Sequence, residues 1–182
     1  MSGYHAEEWV EFGVALAGAA AVLAGLVFVS VSINLDKVLE IHGLPGRAGE
    51  SIVMFAGVLI LSICLLVPGQ SRTAVGVELL VGGVLLLALL VLIALPGLNR
   101  PTRQPLSWRI TRIVLALAAS LPVIVAGVSM LAERGGGLYW LAAAFALALA
   151  AGIGNAWVLL VEVVRDERYL PVRPDRGDSE AH

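Results

Sequence analysis

The chain has 182 residues, of which 59% are hydrophobic and only 14% are charged. An ordinary water-soluble domain carries about 25% charged residues, so this composition excludes that class and predicts a protein solvated by lipid. The net charge of −2 argues against a nucleic-acid partner, because no basic stripe is present to neutralise phosphates. A single cysteine, Cys64, excludes a disulfide framework within the chain.

Five apolar runs are long enough to cross about 30 Å of hydrocarbon as helices that rise about 1.5 Å per residue. The turn signals Pro68–Gly69 and Pro96–Gly97 separate the middle runs, and Leu44–Pro45–Gly46 is predicted to form a turn before the second run. The sequence therefore predicts an all-α, polytopic transmembrane helix bundle. Its five spans are predicted at about residues 12–33, 50–67, 75–95, 112–131 and 138–164.

Basic residues are distributed unequally between the two sides that these spans define. The segments before the first span, between the second and third, and between the fourth and fifth hold only Arg72 and Arg134. The other side holds ten: Lys37, Arg47, Arg100, Arg103, Arg109, Arg112, Arg165, Arg168, Arg173 and Arg176. The positive-inside rule then places the N-terminus outside and the C-terminus in the cytoplasm. Residues 1–11 are predicted to be an extracytoplasmic segment and residues 165–182 a flexible cytoplasmic tail.

The first apolar run is expected to stay in the membrane rather than to be removed as a signal peptide. Such a peptide needs a positive flank, whereas residues 1–11 contain Glu7, Glu8 and Glu11 and no Lys or Arg. The expected location is therefore a bacterial cytoplasmic membrane, with several spans.

Small residues recur every fourth position along the first span and form two stripes on the fifth. Transmembrane helices approach closely where such residues meet. The pattern predicts that the first and fifth spans pack on each other, or that one of them meets its copy in an oligomer. The second and third spans, rich in Leu, Val and Ile, are predicted to face lipid. The helix-packing positions are Gly13, Ala17, Ala21, Gly25, Gly152 and Gly154.

Polar residues within the spans suggest a second feature on the predicted cytoplasmic side. Such groups are expensive in a membrane and are candidates for function. An ion pair of Glu162 with Arg109, Arg112 or Arg165 is one expectation. The alternative is that charged residues near helix ends, Glu50 among them, only anchor the chain at the headgroups, and that Asn155 makes a structural hydrogen bond. The predicted cluster comprises Ser30, Asn34, Asp36, Asn155 and Glu162.

Near the opposite side, Glu78 has two interpretations. A carboxylate at the start of a span favours the helix dipole, which is a structural role. The other interpretation is a cation or proton site that faces outside.

Several classes of function lack their residues. His5, His42 and His182 lie outside the spans, so no histidine pair for haem is expected, and no span carries a lysine for a retinal Schiff base. No metalloprotease motif and no phosphate-binding glycine loop is present. We therefore expect no catalytic residues, no metal, no cofactor and no enzyme.

Three stretches resemble a small polytopic membrane family of high-GC Gram-positive, actinobacterial type. They are Ser32-Ile33-Asn34-Leu35-Asp36, Leu44-Pro45-Gly46-Arg47-Ala48-Gly49-Glu50 and Leu66-Val67-Pro68-Gly69-Gln70. The resemblance covers the layout of most of the chain and implies a membrane location without an activity.

Two functions from different classes fit these patterns. The first is a non-catalytic accessory or regulatory membrane protein that associates through its small-residue faces with itself or with a larger membrane complex. The alternative is a small oligomeric channel or transporter with a polar path near the cytoplasmic leaflet. An enzyme that acts on lipid comes third. Membrane lipids are expected partners in every case.

Overall fold

The computed structural model describes residues 3–41, 43–99 and 106–167, with side chains except those of residues 95–99, 106–109 and 162–167. A short 3-10 helix, Ala6–Trp9, leads directly into the first long helix. The helices are α1 (Val10–Ile33), α2 (Leu35–Glu40), α3 (Leu44–Leu65), α4 (Arg72–Asn99), α5 (Leu106–Ala132) and α6 (Tyr139–Glu167).

Five of these helices, α1 and α3 to α6, are long and apolar enough to cross a membrane. The predicted all-helical architecture and the number of candidate spans are therefore confirmed. Together they suggest a multi-pass membrane protein.

Two predicted boundaries are wrong because proline does not always end a helix. Leu44–Pro45–Gly46 is the first turn of α3 rather than a turn before it, and Gly43, with φ of 95°, makes the preceding change of direction. Proline suits that position because the first N–H groups of a helix have no partner within the helix. Likewise, α4 continues through Pro96 and Gly97 to Asn99. The predicted tail lies largely outside the described residues, and its first three residues extend α6.

The central helix of the bundle is α3, which packs against α1, α4 and α6, while α5 packs against α4 and α6. The prediction that the second span faces lipid is wrong. Large side chains along one face of α3 are at most 3% exposed, because their volume fills the space between three neighbours. These residues are Met54, Phe55, Val58, Leu61 and Leu65.

The backbones of α4 and α5 approach each other closely. A Cβ atom added to Gly127 would lie 2.6 Å from the backbone nitrogen of Leu80, and one added to Gly83 would lie 3.0 Å from that of Ile124. Glycine is what allows these two backbones to meet. Small residues therefore do bring two spans together, but not the two spans that the sequence indicated.

The first span lies at the edge of the bundle. Only Gly13, Ala20 and Val27 of α1 are buried, and α1 packs chiefly against α3, with little contact with α6. Close packing of the first span on the fifth is therefore wrong within one chain. The stripe pattern failed here because a smooth helix face does not specify which neighbour it meets.

The two ends of the bundle are built differently. The N-terminal end comprises residues 3–9, the α3–α4 loop and the α5–α6 loop; the α2 end comprises α2, the starts of α3 and α5 and the last turns of α6. At the N-terminal end, the N–H of Leu138 donates to the carbonyl oxygen of Gly3 at 2.7 Å, and the N–H of Gly136 donates to the Tyr4 hydroxyl at 3.1 Å. Trp9 packs edge-on against Tyr139, with ring centroids 5.1 Å apart.

Candidate functional site

A buried ion pair lies near the α2 end and joins α3 to α5. Nε of Arg112 donates to Oε1 of Glu50 at 2.7 Å, and Nη2 lies 2.5 Å from the same oxygen. The side chains are only 5% exposed for Glu50 and 14% exposed for Arg112. A charge at this depth is tolerated only when it is paired and hydrogen-bonded.

The helices position this pair through a glycine in the first turn of α3. A Cβ atom on Gly46 would lie 3.1 Å from Nη2 of Arg112, so the missing side chain leaves room for the guanidinium. Glu50 follows one turn later on α3, and Arg112 lies in the second turn of α5. Nη2 makes no hydrogen bond among the described residues despite its short distance to Oε1, so Nε supplies the directional contact.

Two contacts from α6 complete the site. Nδ2 of Asn155 donates to the second oxygen of Glu50, Oε2, at 3.4 Å, which is long for a hydrogen bond. The Ser51 hydroxyl donates to the carbonyl oxygen of Gly152 at 3.1 Å. Three helices, α3, α5 and α6, are thus joined at one level. The side chains of this site, which we call the Glu50 cluster, are Glu50, Ser51, Arg112 and Asn155.

The described residues of the polar cluster predicted from the sequence have different environments. Asn155 points to Glu50, whereas Nδ2 of Asn34 donates to the carbonyl oxygen of Ser30 on its own helix at 3.0 Å. Asp36 is exposed on α2, and the side chain of Glu162 lies outside the described residues. Among the described side chains, Arg112 pairs with Glu50, and its predicted pairing with Glu162 stays a prediction.

Sequence reasoning missed Glu50 by treating it as an interfacial anchor. A signal was present, since Glu50 lies on the same helical stripe as Met54, Val58 and Leu61, all of which are buried. A carboxylate that continues a core stripe is expected to point into the bundle and to need a buried cation.

The predicted packing glycines have two different environments. A Cβ atom on Gly152 would lie 2.5 Å from the Phe55 ring of α3, and one on Gly13 would lie 3.2 Å from the side chain of Leu66, which follows α3, so both glycines admit a neighbouring side chain. Gly25 and Gly154, by contrast, have no atom within 4 Å of an added Cβ. On α1, Ala17 is half-buried and Ala21 is exposed.

An apolar cleft of about 270 Å³ separates α1 from α6 beyond their contact at the N-terminal end. Phe55 of α3 lies in its wall between the two helices. The other lining residues are Leu23, Leu26, Val27, Ser30 and Val31 from α1, and Ile153, Ala156, Trp157, Leu159 and Leu160 from α6. A smaller cavity of about 20 Å³ shares Ser30 with the cleft and adds Asn34 and Val38 toward the α2 end.

A separate polar contact at the N-terminal end involves Glu78. Nε2 of Gln70 donates to its Oε1 at 2.7 Å, while Oε2 is buried and has no hydrogen bond among the described residues. No group of three or more His, Cys, Asp or Glu residues suited to a metal occurs in the described part of the chain. The structural and cation-site interpretations of Glu78 both stay predictions.

Chemically, the Glu50 cluster is a closed arrangement, in which the carboxylate meets a guanidinium at one oxygen and an amide at the other. Such an arrangement holds helices in register and leaves the carboxylate oxygens occupied.

Comparisons of the chain with known protein families, curated proteins and solved structures find no match.

Proposed function

We propose that this chain is a non-catalytic accessory or regulatory protein of the membrane, whose first span docks against a helix of a partner. The observation that supports this proposal is the exposed, smooth face of α1. Only three residues of α1 are buried, and Gly18 and Gly25 have empty space where a side chain would lie. With Ala21 exposed between them, a second helix can approach the backbone of α1.

The Glu50 cluster also supports this proposal. It ties α3, α5 and α6 together, so that the remaining bundle forms a fixed base against which α1 is presented. We further propose that the α2 end faces the cytoplasm of a bacterial cell, on the basis of the ten-to-two distribution of basic residues. The actinobacterial resemblance stays a prediction.

The channel or transporter alternative has less support. This alternative requires a polar path lined by Ser30, Asn34, Asn155 and Glu162. Among the described side chains, Ser30 and Asn34 line cavities between α1 and α6, but Asn155 is turned away toward Glu50. The cleft beside Ser30 is otherwise apolar, and such a surface does not stabilise an ion.

Two glycine variants separate association from folding. Gly25→Leu adds a side chain into empty space, so the monomer is expected to fold normally while the docking face is blocked. Gly152→Leu is expected to disturb folding itself, because the new Cβ atom would meet the Phe55 ring. Val84→Leu is a matched control, since Val84 is 51% exposed on α4, away from the predicted packing faces.

Native mass spectrometry after gentle extraction from the cell's own membrane is the measurement. We expect the chain to be extracted with a partner, or with its copy, at fixed stoichiometry. Gly25→Leu should lose that assembly, while Val84→Leu should keep it. A monomer in every preparation, or an assembly unaffected by Gly25→Leu, would contradict the docking role of α1.

A further inference from the structure

We propose that the cleft between α1 and α6 is a specific site for one acyl chain of a membrane lipid, with the polar head of that lipid at the α2 end. This proposal is more specific than the expectation that lipid surrounds the protein, because it assigns one lipid to one cleft. The proposal also goes beyond docking through α1, since it concerns the face of α1 that is turned toward α6 rather than the face with Gly18 and Gly25.

The shape of the cleft follows from how α1 and α6 are held. At the N-terminal end, Phe12 stacks on Phe145 with ring centroids 6.4 Å apart, so the two helices are linked there. Farther along, their direct contacts are few, and Phe55 of α3 reaches the space between them. The result is a cleft between α1 and α6 that lies farther toward the α2 end than the contact between Phe12 and Phe145.

The size of the cleft suits part of a hydrocarbon chain. It offers about 270 Å³ between the two helices. An apolar cavity of about 150 Å³ is already large enough to hold benzene and stays dry when empty. The cleft is therefore large enough to accommodate a segment of an apolar chain.

The lining gives the site a direction. Its body is apolar, with Leu26 and Val27 on α1 facing Ile153 and Leu160 on α6. Among the described lining residues, Ser30 supplies a hydroxyl, and the adjoining small cavity adds Asn34 at the α2 end. An apolar body with hydroxyl and amide groups at one end complements an amphiphile whose head lies where the helices reach the membrane surface.

Trp157 provides a reporter at the site. It lines the cleft and is 66% exposed, so an acyl chain in the cleft would contact the indole ring. Replacement of Trp9, Trp108 and Trp140 by Phe leaves Trp157 as the single tryptophan. Lipids with brominated acyl chains quench tryptophan on contact, so the probe is a brominated phosphatidylcholine added to the full-length protein in mild detergent.

Two variants distinguish a specific lipid site in the cleft from general solvation of the helices by lipid. Ala156→Phe places a ring in the cleft, whereas Val161→Phe adds the same ring on α6 at a position that is 43% exposed and does not line the cleft. We expect saturable quenching of Trp157 and one retained lipid by native mass spectrometry. Ala156→Phe should weaken both by about tenfold, as expected when a few methylenes lose their contacts.

The controls separate the failure of this proposal from failure to fold. Val161→Phe should behave like the parent protein, and far-UV circular dichroism should show the same helix content for both variants. Quenching that rises linearly with lipid and never saturates would overturn the proposal. Equal binding by the parent and Ala156→Phe would overturn it as well. Neither outcome bears on docking through α1, which is measured with the variant Gly25→Leu.

Discussion

Replacement of Glu50 by glutamine tests whether the Glu50 cluster is the structural centre of the α2 end. The substituted side chain keeps the size of the original and a carbonyl oxygen that can accept from Asn155, but it removes the charge opposite Arg112. The guanidinium, only 14% exposed, would then lie between helices without a counter-ion. We expect Glu50→Gln to destabilise the folded bundle strongly.

The magnitude follows from burial. Removal of one partner of a buried pair costs about 3–5 kcal/mol. Because Arg112 keeps some exposure, we expect a loss near the lower limit, about 3 kcal/mol. The Asn155 contact is much weaker, since hydrogen bonds between transmembrane helices average about 0.6 kcal/mol and this one is 3.4 Å long. Asn155→Ala should therefore cost roughly a fifth of what Glu50→Gln costs.

The assay is equilibrium unfolding in mixed micelles, followed by far-UV circular dichroism as the fraction of denaturing detergent increases. A double-mutant cycle with Arg112→Met isolates the pair, because the double variant removes both charges. We expect that variant to recover most of the stability that Glu50→Gln loses. A loss below about 1 kcal/mol for Glu50→Gln, the value of an exposed pair, would refute the reasoning, as would single losses that simply add.

Two further predictions use the same unfolding titration. Gly127→Ala should destabilise the bundle by about 1–3 kcal/mol, because the new Cβ atom would lie 2.6 Å from the backbone nitrogen of Leu80. An unchanged midpoint of unfolding would contradict the close α4–α5 contact. Arg72→Ala should lower the free energy of unfolding by less than about 1 kcal/mol, because the side chains of Arg72 and Glu133, 2.5 Å apart, are 38% and 62% exposed. A loss of several kcal/mol would show that this pair is not an ordinary surface ion pair.

The number and type of helices could be predicted from the sequence because the signal is local. A run of about 20 apolar residues contains the information that it crosses a membrane, whatever its neighbours are. Helix ends depend on more than the local sequence. Pro45 lies in the first turn of α3, where the sequence predicts a turn before the helix, and Pro96 lies within α4, where the sequence predicts its end. Proline limits only the turn before it, and so it is compatible with either role.

Helix neighbours could not be predicted, because they depend on the packing of residues far apart in the chain. A Cβ atom on Gly152 would meet Phe55 of α3, and one on Gly13 would meet Leu66 just after α3, so neither glycine faces the other helix. The partner of Arg112 was missed for the same reason. Glu50 lies 62 residues away, and only the packing of α3 against its neighbours places it beside the guanidinium.

The attachment of residues 3–9 to the α5–α6 loop has a consequence for the order of assembly. Residues 3–12 are synthesised long before α6, yet they contact Leu138, just before α6, and Tyr139 and Phe145 in its first two turns. Until α6 has been inserted, α1 is held mainly by α3. During that interval the α1 of a neighbouring chain can make the same contacts, so exchange of first spans between two copies is the natural way for this bundle to misassemble.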